Sequence, residues 1–310
     1  MAKFFSNIWT KIKSLFKRPN DQKFSPLFLI LGIFLTIYAI SMLAVLFWAC
    51  YTSLKEPLIA FTEDAIWFPK QIYWGNYVTV FSKFAVKTTT TGENVDFWRM
   101  LLYSVLYAVG NALCRSCVLF IVAYAAARFK FAVGKIIYGI VIVGMILPIV
   151  GAQPSMIAVA RQLGIYDSIP GMYLQKANFM GMHFLIFHAT LSAFPKDFDE
   201  AAQIDGAGNL SVMLRIMWPL CMTTFATILL LNFISEWNDY NTPMMFLPTF
   251  PTISYGLWSF NNGTGGDGNS TAYTPVKVAA CFLAALPTLL LFTIFHDRLL
   301  TNLSIGGVKE

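Results

Sequence analysis

The chain has 310 residues, 57% of them hydrophobic and only 12% charged, with a formal net charge of +6. A soluble domain carries about 25% charged residues, so the composition excludes water as the main solvent of this chain. The positive balance is to be read from where it falls along the chain, and not as a nucleic-acid surface.

In chain order, the first 26 residues form a basic segment. Phe4, Phe5, Ile8, Trp9, Ile12, Leu15 and Phe16 recur at helical spacing with lysines between them, which predicts an amphipathic helix on a membrane surface. The apolar run that follows is too long for the core of a cleaved signal peptide, so no such peptide is expected. Crossing a bilayer takes about 20 apolar residues, and six stretches qualify, near 27–51, 100–127, 133–152, 178–194, 213–235 and 276–296. The expected fold is therefore an all-α polytopic membrane protein with six transmembrane helices. Lys3, Lys11, Lys13, Lys17, Arg18 and Lys23 crowd the N-terminal segment, and Arg128, Lys130 and Lys135 crowd the short connection after the second span. The positive-inside rule places both in the cytoplasm. Both termini and the segments 128–133 and 195–212 then face inside, and 52–99, 153–177 and 236–275 face outside.

Five cysteines occur, at 50, 114, 117, 221 and 281, all in or at the ends of apolar segments, which argues against a disulfide framework. Cys114 and Cys117 have C-x-x-C spacing inside the second span with no second ligand pair near them, so they read as small residues packing between helices. His183, His188 and His296 show no metal-binding spacing such as H-E-x-x-H, and no phosphate loop is present, since Gly134-Lys135 continues into Ile136. Neither a catalytic set nor a metal or nucleotide site is therefore expected in this chain.

The most specific stretch is Glu200-Ala201-Ala202-Gln203-Ile204-Asp205-Gly206, followed after nine residues by Ile216-Met217-Trp218-Pro219. Pro195 ends the fourth span. Asp197 and Glu200 have capping-box spacing for a short helix, its first turn is acidic as the helix dipole favours, and Asp205-Gly206 is a stop-and-turn signal. Asn209 or Ser211 can cap the helix that enters the fifth span. These residues fit the signature E-A-A-x3-G-x9-I-x-L-P except that Trp218 stands where Leu is expected, and an aromatic ring there suits a membrane interface. The stretch resembles the cytoplasmic loop by which permease subunits of bacterial ATP-binding-cassette importers dock onto their ATPase subunits.

Further stretches are similar to the carbohydrate-uptake, maltose-type branch of that family: Asn76-Tyr77, Ala123-Tyr124-Ala125, Trp237-Asn238 and the tail Leu303-Ser304-Ile305-Gly306-Gly307-Val308-Lys309. Residues 27–310 then form the permease domain, with its coupling loop at 195–212. The resemblance implies a type I importer fold and a heterodimer with a second, homologous permease. It also implies two ATPase subunits that bind ATP and Mg, an extracytoplasmic solute-binding protein, and a sugar or oligosaccharide as cargo. It assigns ATPase coupling to Glu200, Ala201, Ala202, Asp205 and Gly206, with the two alanines as the contact face.

A sugar path needs hydrogen-bonding amides or carboxylates and aromatic platforms. Asn232, Glu236, Trp237 and Asn238, with Asp239 and Tyr240 beyond them, form the densest such cluster near a span. They line either the cavity or its outer gate, or else Glu236 and Asp239 are solvated at the outer interface with Trp237 as an anchor. Arg115 lies near the centre of the second span, where a charge costs at least about 2.5 kcal/mol. It contacts an acidic solute or a gate carboxylate, or pairs structurally, for instance with Glu236. The outer segment 252–275 reads as a flexible connector or a probe into the binding protein. Two other readings stay open. One is the same machine carrying an amino acid, phosphate or polyamine. The other is an ion-coupled secondary transporter, which calls for buried acids in mid-span.

Overall fold

The structure, a computed structural model, describes residues 26–57, 66–88, 90–129, 132–147, 151–262 and 273–305. The expected amphipathic helix over 4–16, most of the Gly/Asn-rich run 261–269 and the tail from Gly306 lie outside the described residues. Two compact units are present, Met1–Tyr51 and Thr52–Glu310. Helix α1 (Pro26–Thr52) belongs mainly to the first, and its side chains from Ile30 to Phe47 are exposed on every side. A helix apolar all round, with no polar stripe, suits a lipid environment.

The second unit is almost wholly helical: α2 (Gly75–Lys83), α3 (Phe97–Arg128), α4 (Ala132–Ile146), α5 (Gln153–Gln162), α6 (Ile169–Lys176), α7 (Met182–Ala193), α8 (Asp197–Ile204), α9 (Asn209–Val212), α10 (Trp218–Leu220), α11 (Met222–Asn238), α12 (Asn241–Phe246), α13 (Ile253–Asn261) and α14 (Thr274–Ile305). The all-α expectation misses one element, an antiparallel hairpin of β1 (Ala85–Lys87) and β2 (Asn94–Asp96). Between the strands the chain turns at Gly92, whose φ of +71° suits a residue without a Cβ.

Helix α3 is the central element. At 32 residues it spans about 48 Å, longer than the hydrocarbon core. Its buried residues Tyr107, Ala108, Asn111, Ala112, Ser116, Leu119, Phe120 and Ala123 recur every three to four positions, the stripe expected of a helix packed along its length. The small ones among them let α7 and α11 approach closely. Near the signature, Phe120 meets Phe187 and Trp218 edge-on at 5.6 and 5.0 Å, and Trp218 lies 4.4 Å from Phe225. Trp218 is thus half-buried, with its ring packed against this core cluster. At the other end the hairpin packs with Phe84, Phe97 and Phe260.

The six expected spans are unequal. Helices α1, α3 and α14 are long and apolar enough to cross a bilayer. The fifth, expected as one continuous helix, is broken: α9, a π turn over Met213–Met217 and α10 meet α11 at an angle of 79°. Pro219 accounts for the interruption, because it lacks an N–H and its ring clashes with the preceding turn. Helices α4 and α7 are shorter, 15 and 12 residues. At 1.5 Å per residue, α7 covers about 18 Å of a core about 30 Å thick. Several expected connectors are themselves helical: 153–177 holds α5 and α6, and 252–275 begins with α13.

Candidate functional site

The signature residues form a helix and a turn held from one side. Helix α8 starts at Asp197 itself, with Lys196 before it and no side chain capping it. The expected capping box is therefore not made, because Asp197 sits inside the first turn, where its carboxylate cannot reach the amides ahead. Asp197, Asp199 and Glu200 all fall in that turn, where the positive end of the helix dipole favours them. Gly206 ends the helix at φ +79°, with nothing within 4 Å of where a Cβ would stand. Its role is thus conformational and not steric. The following helix starts after Gly208, with neither Asn209 nor Ser211 as the cap.

Arg128, the last residue of α3, locks this helix in place. Its guanidinium is 3% exposed and its Nε lies 2.8 Å from Oδ2 of Asp199, itself 15% exposed. The same side chain donates to the carbonyls of Phe194 at 2.8 Å, Leu191 at 3.3 Å and Pro195 at 3.0 Å. One fork therefore ties the end of α3 to the end of α7 and to α8, using the rigid multi-donor geometry only arginine offers. Ala202 is buried in the chain's own core, so only Ala201 of the two alanines remains on the open face. That face carries Glu200, Ala201, Asp205 and Ile204, the last 87% exposed.

A second polar region runs between α3, α6 and α11. Glu236 is only 2% exposed, although it stands in the last turn of α11. Lys176 Nζ lies 3.0 Å from its Oε2, and Arg115 lies 3.8 Å from its Oε1. Lys176 also reaches Asp239 at 3.0 Å, which Tyr107 and the Thr242 amide bind at 3.2 and 3.0 Å. Burial pushes the Asp239 carboxyl up, but Lys176 and the Thr242 hydrogen bonds outweigh it and hold the carboxyl below its ordinary value. Deeper along α11, Asn232 donates to Ser116 at 2.9 Å. Both atoms of the buried Asn111 amide lack a hydrogen-bond partner among the described residues. His188 packs against Tyr138 with ring centroids 4.8 Å apart.

These contacts divide the five residues expected along a solute path. Arg115, half-buried, pairs with the buried Glu236, and Asn232 is buried separately against Ser116, so Glu236 is not solvated at an interface. Trp237 is buried too, donating from Nε1 to the Ala284 carbonyl at 3.0 Å and so joining α11 to α14. It is not a membrane-surface anchor. Asn238 alone is exposed, on the opposite side of α11 from Glu236. Sequence reasoning gave Lys176 and Tyr107 no role, took Arg128 only as a cytoplasmic cation and Asp199 only as part of an acidic first turn, and missed their pairing. Their partners are 60 or more residues away along the chain, and no local pattern announces such pairs. Among the described residues no cluster of His, Cys, Asp or Glu could hold a metal ion.

Fold and site together define a helical membrane protein that offers a braced surface helix and a charged seam. The chain belongs to the family of binding-protein-dependent transport system inner membrane components, whose profile it matches over residues 119–304. It is 23% identical over 265 residues to the sulfoquinovosyl glycerol transport system permease protein SmoH of Agrobacterium fabrum, covering 84% of this chain and 87% of that one. It is 27% identical to the melibiose/raffinose/stachyose import permease protein MelC of Bacillus subtilis, over 60% of this chain and 67% of that one. It is 26% identical to the sn-glycerol-3-phosphate transport system permease protein UgpE of Escherichia coli, over 68% and 74%. Among solved structures, a chain of a bacterial ABC transporter that imports the acidic polysaccharide alginate superposes with a TM-score of 0.75 at 19% identity, covering 90% of this chain and 99% of that one. The type I importer permease fold expected from the signature is thus the observed fold.

Proposed function

We propose that this chain is one of two permease subunits of an ATP-driven importer for a sugar or oligosaccharide delivered by an extracytoplasmic binding protein. Six crossings with both termini inside put α8 on the cytoplasmic face, where partner ATPases bind ATP and Mg. Helix α8 sits in a groove of such an ATPase through Glu200, Ala201 and Ile204, and Asp205-Gly206 sets the angle at which the chain leaves it. ATP binding closes the ATPases, α8 moves with them, and α3 and α11 tip to alternate access to the solute. The chain itself does no chemistry.

One observation carries this reading: α8 is fixed by Arg128 on one side and presents Ile204, 87% exposed, on the other. Ile204 adds exposed apolar surface beside Glu200 and Ala201 on a helix whose other side is already fixed, which leaves this face available to a partner. Relatives named for sugar uptake support the cargo class. The test is ATP-dependent uptake of labelled sugars into proteoliposomes that contain the whole complex, with binding protein outside. Uptake that needs both ATP and binding protein supports the reading, and uptake driven by an ion gradient without ATPase subunits refutes it.

A further inference from the structure

Helices α1 and α3 are both long and apolar enough to cross a bilayer. Between them α2 has 9 residues and covers about 14 Å, too little for a crossing. The connection 53–96 therefore stays on one membrane face, the outer one in the reading above. We propose that residues 66–81, with Trp98 at the start of α3, form a collar that lies in the lipid headgroup layer of that face. The inference needs only the two crossings of that reading, not its cargo or its ATPases.

Three tryptophans carry the patch. Trp67 is 71% exposed, Trp74 65% and Trp98 61%, and the exposed Ile72 and Val78 lie along the same stretch. Phe81 stacks on Trp98 with centroids 5.8 Å apart, so ring surface continues from α2 into the first turn of α3. One exposed apolar side chain is ordinary, but several on one short stretch mark a contact surface. The stretch is also held in place. The Tyr73 amide donates to the Leu54 carbonyl at 2.9 Å. The buried Asn76 amide donates to the carbonyls of Ser53 and Lys55 at 2.8 and 2.7 Å, and the hydroxyls of Tyr77 and Ser53 meet at 2.8 Å. Residues 73–77 are thereby pinned to 53–55, the residues that follow α1, so the patch sits where one crossing ends and the next begins.

Composition selects lipid over a protein partner. Indole and phenol rings have an apolar body and a polar tip, which suits a layer that is half wet. Lys70 is exposed within the stretch, and Asp96 and Arg99, more than half exposed, flank Trp98. Charged residues are depleted from the buried core of a protein interface, whereas at the headgroup level their tips reach water. A soluble binding protein that comes and goes would leave these rings in water between deliveries, and lipid covers them throughout. The backbone sets the depth. Residues 66–73 form no helix or strand, and backbone groups without internal partners are costly in hydrocarbon, so the collar lies among the headgroups and not among the acyl chains.

The test is fluorescence quenching in the assembled complex in lipid vesicles. The emission of each ring is taken as the difference between wild type and Trp67→Phe, Trp74→Phe or Trp237→Phe, the last serving as the buried reference. The probes are lipids with a nitroxide at the top of the acyl chain, lipids with a nitroxide at its end, and iodide in the water. For rings about 5–10 Å below the surface, emission from Trp67 and Trp74 should be quenched at least about twofold more by the upper nitroxide than by the lower one or by iodide. Added binding protein should leave that quenching unchanged. Dominant quenching by iodide means a segment standing in water and overturns the proposal, and dominant quenching by the chain-end nitroxide overturns the headgroup placement. Quenching by no probe, or lipid quenching that disappears with binding protein, assigns the face to a protein and overturns it too. No arm needs ATP or cargo, so the result is separate from the uptake test of the importer reading.

Discussion

Removing the Arg128 side chain tests the brace between α3 and the surface helix. In Arg128→Ala, Asp199 loses its ion-pair partner at 2.8 Å, and the carbonyls of Leu191, Phe194 and Pro195 lose a donor. Breaking a buried pair by deleting one partner costs about 3–5 kcal/mol. Asp199 keeps some access to water, so the lower figure applies, about 3 kcal/mol. Domains are stable by about 5–15 kcal/mol, so the protein still folds. The cost falls locally, on the docking of α8 against α3 and α7, and shifts that balance by roughly 150-fold. Uptake should then fall more than ATP hydrolysis in the assembled complex, and α8 should become readily accessible to protease. Arg128→Lys keeps the charge but not the fork and should fall between. Asp199→Ala added to Arg128→Ala should cost less than the two single changes summed. An unchanged ratio of uptake to hydrolysis in correctly assembled Arg128→Ala would refute the brace as a transmission element.

Four further outcomes are expected. Gly206→Ala meets no steric obstacle but must hold φ +79°, a cost of about 1–2 kcal/mol; it should lower uptake, and Gly206→Asn should be milder. Trp237→Phe leaves the Ala284 carbonyl without its donor and should destabilise the complex by about 1–3 kcal/mol, seen as a lower melting temperature in detergent. The Asp239 carboxyl is held below its ordinary 3.8, so its contribution to stability is complete above that value and is lost as pH falls through the depressed folded value; thermal stability should be flat from pH 8 to 5 and drop below about 3.8, and Asp239→Asn should remove that acid limb. Ile204→Glu should leave the fold intact, since the side chain is exposed, and should reduce co-purification of the ATPase subunits.

Some of this was legible in the sequence and some was not, for physical reasons. The long central helix could be read because apolar length is a property of a local window. The signature helix and its turn could be read because Asp205-Gly206 and the acidic first turn act within a few residues. The capping box failed by one residue, since helix starts depend on backbone geometry that D-x-x-E spacing alone does not set. The bend before α11 was missed because a continuous apolar run hides a Pro whose effect depends on the packing around Trp218. The burial of Glu236 and Trp237 was invisible because their partners, Lys176 and Ala284 of α14, lie far away in sequence. The same holds for Arg128, which looked like one more cytoplasmic cation. The reading of the N-terminal segment and the tail concerns residues outside those described.

The central claim is that α8 transmits ATPase motion to the spans. The most direct measurement compares wild type with Glu200→Lys plus Gly206→Asp in the assembled complex in lipid, recording ATPase activity with and without loaded binding protein. The account predicts that the double variant assembles but is no longer stimulated and does not transport. Normal stimulation and normal transport in that variant would contradict it.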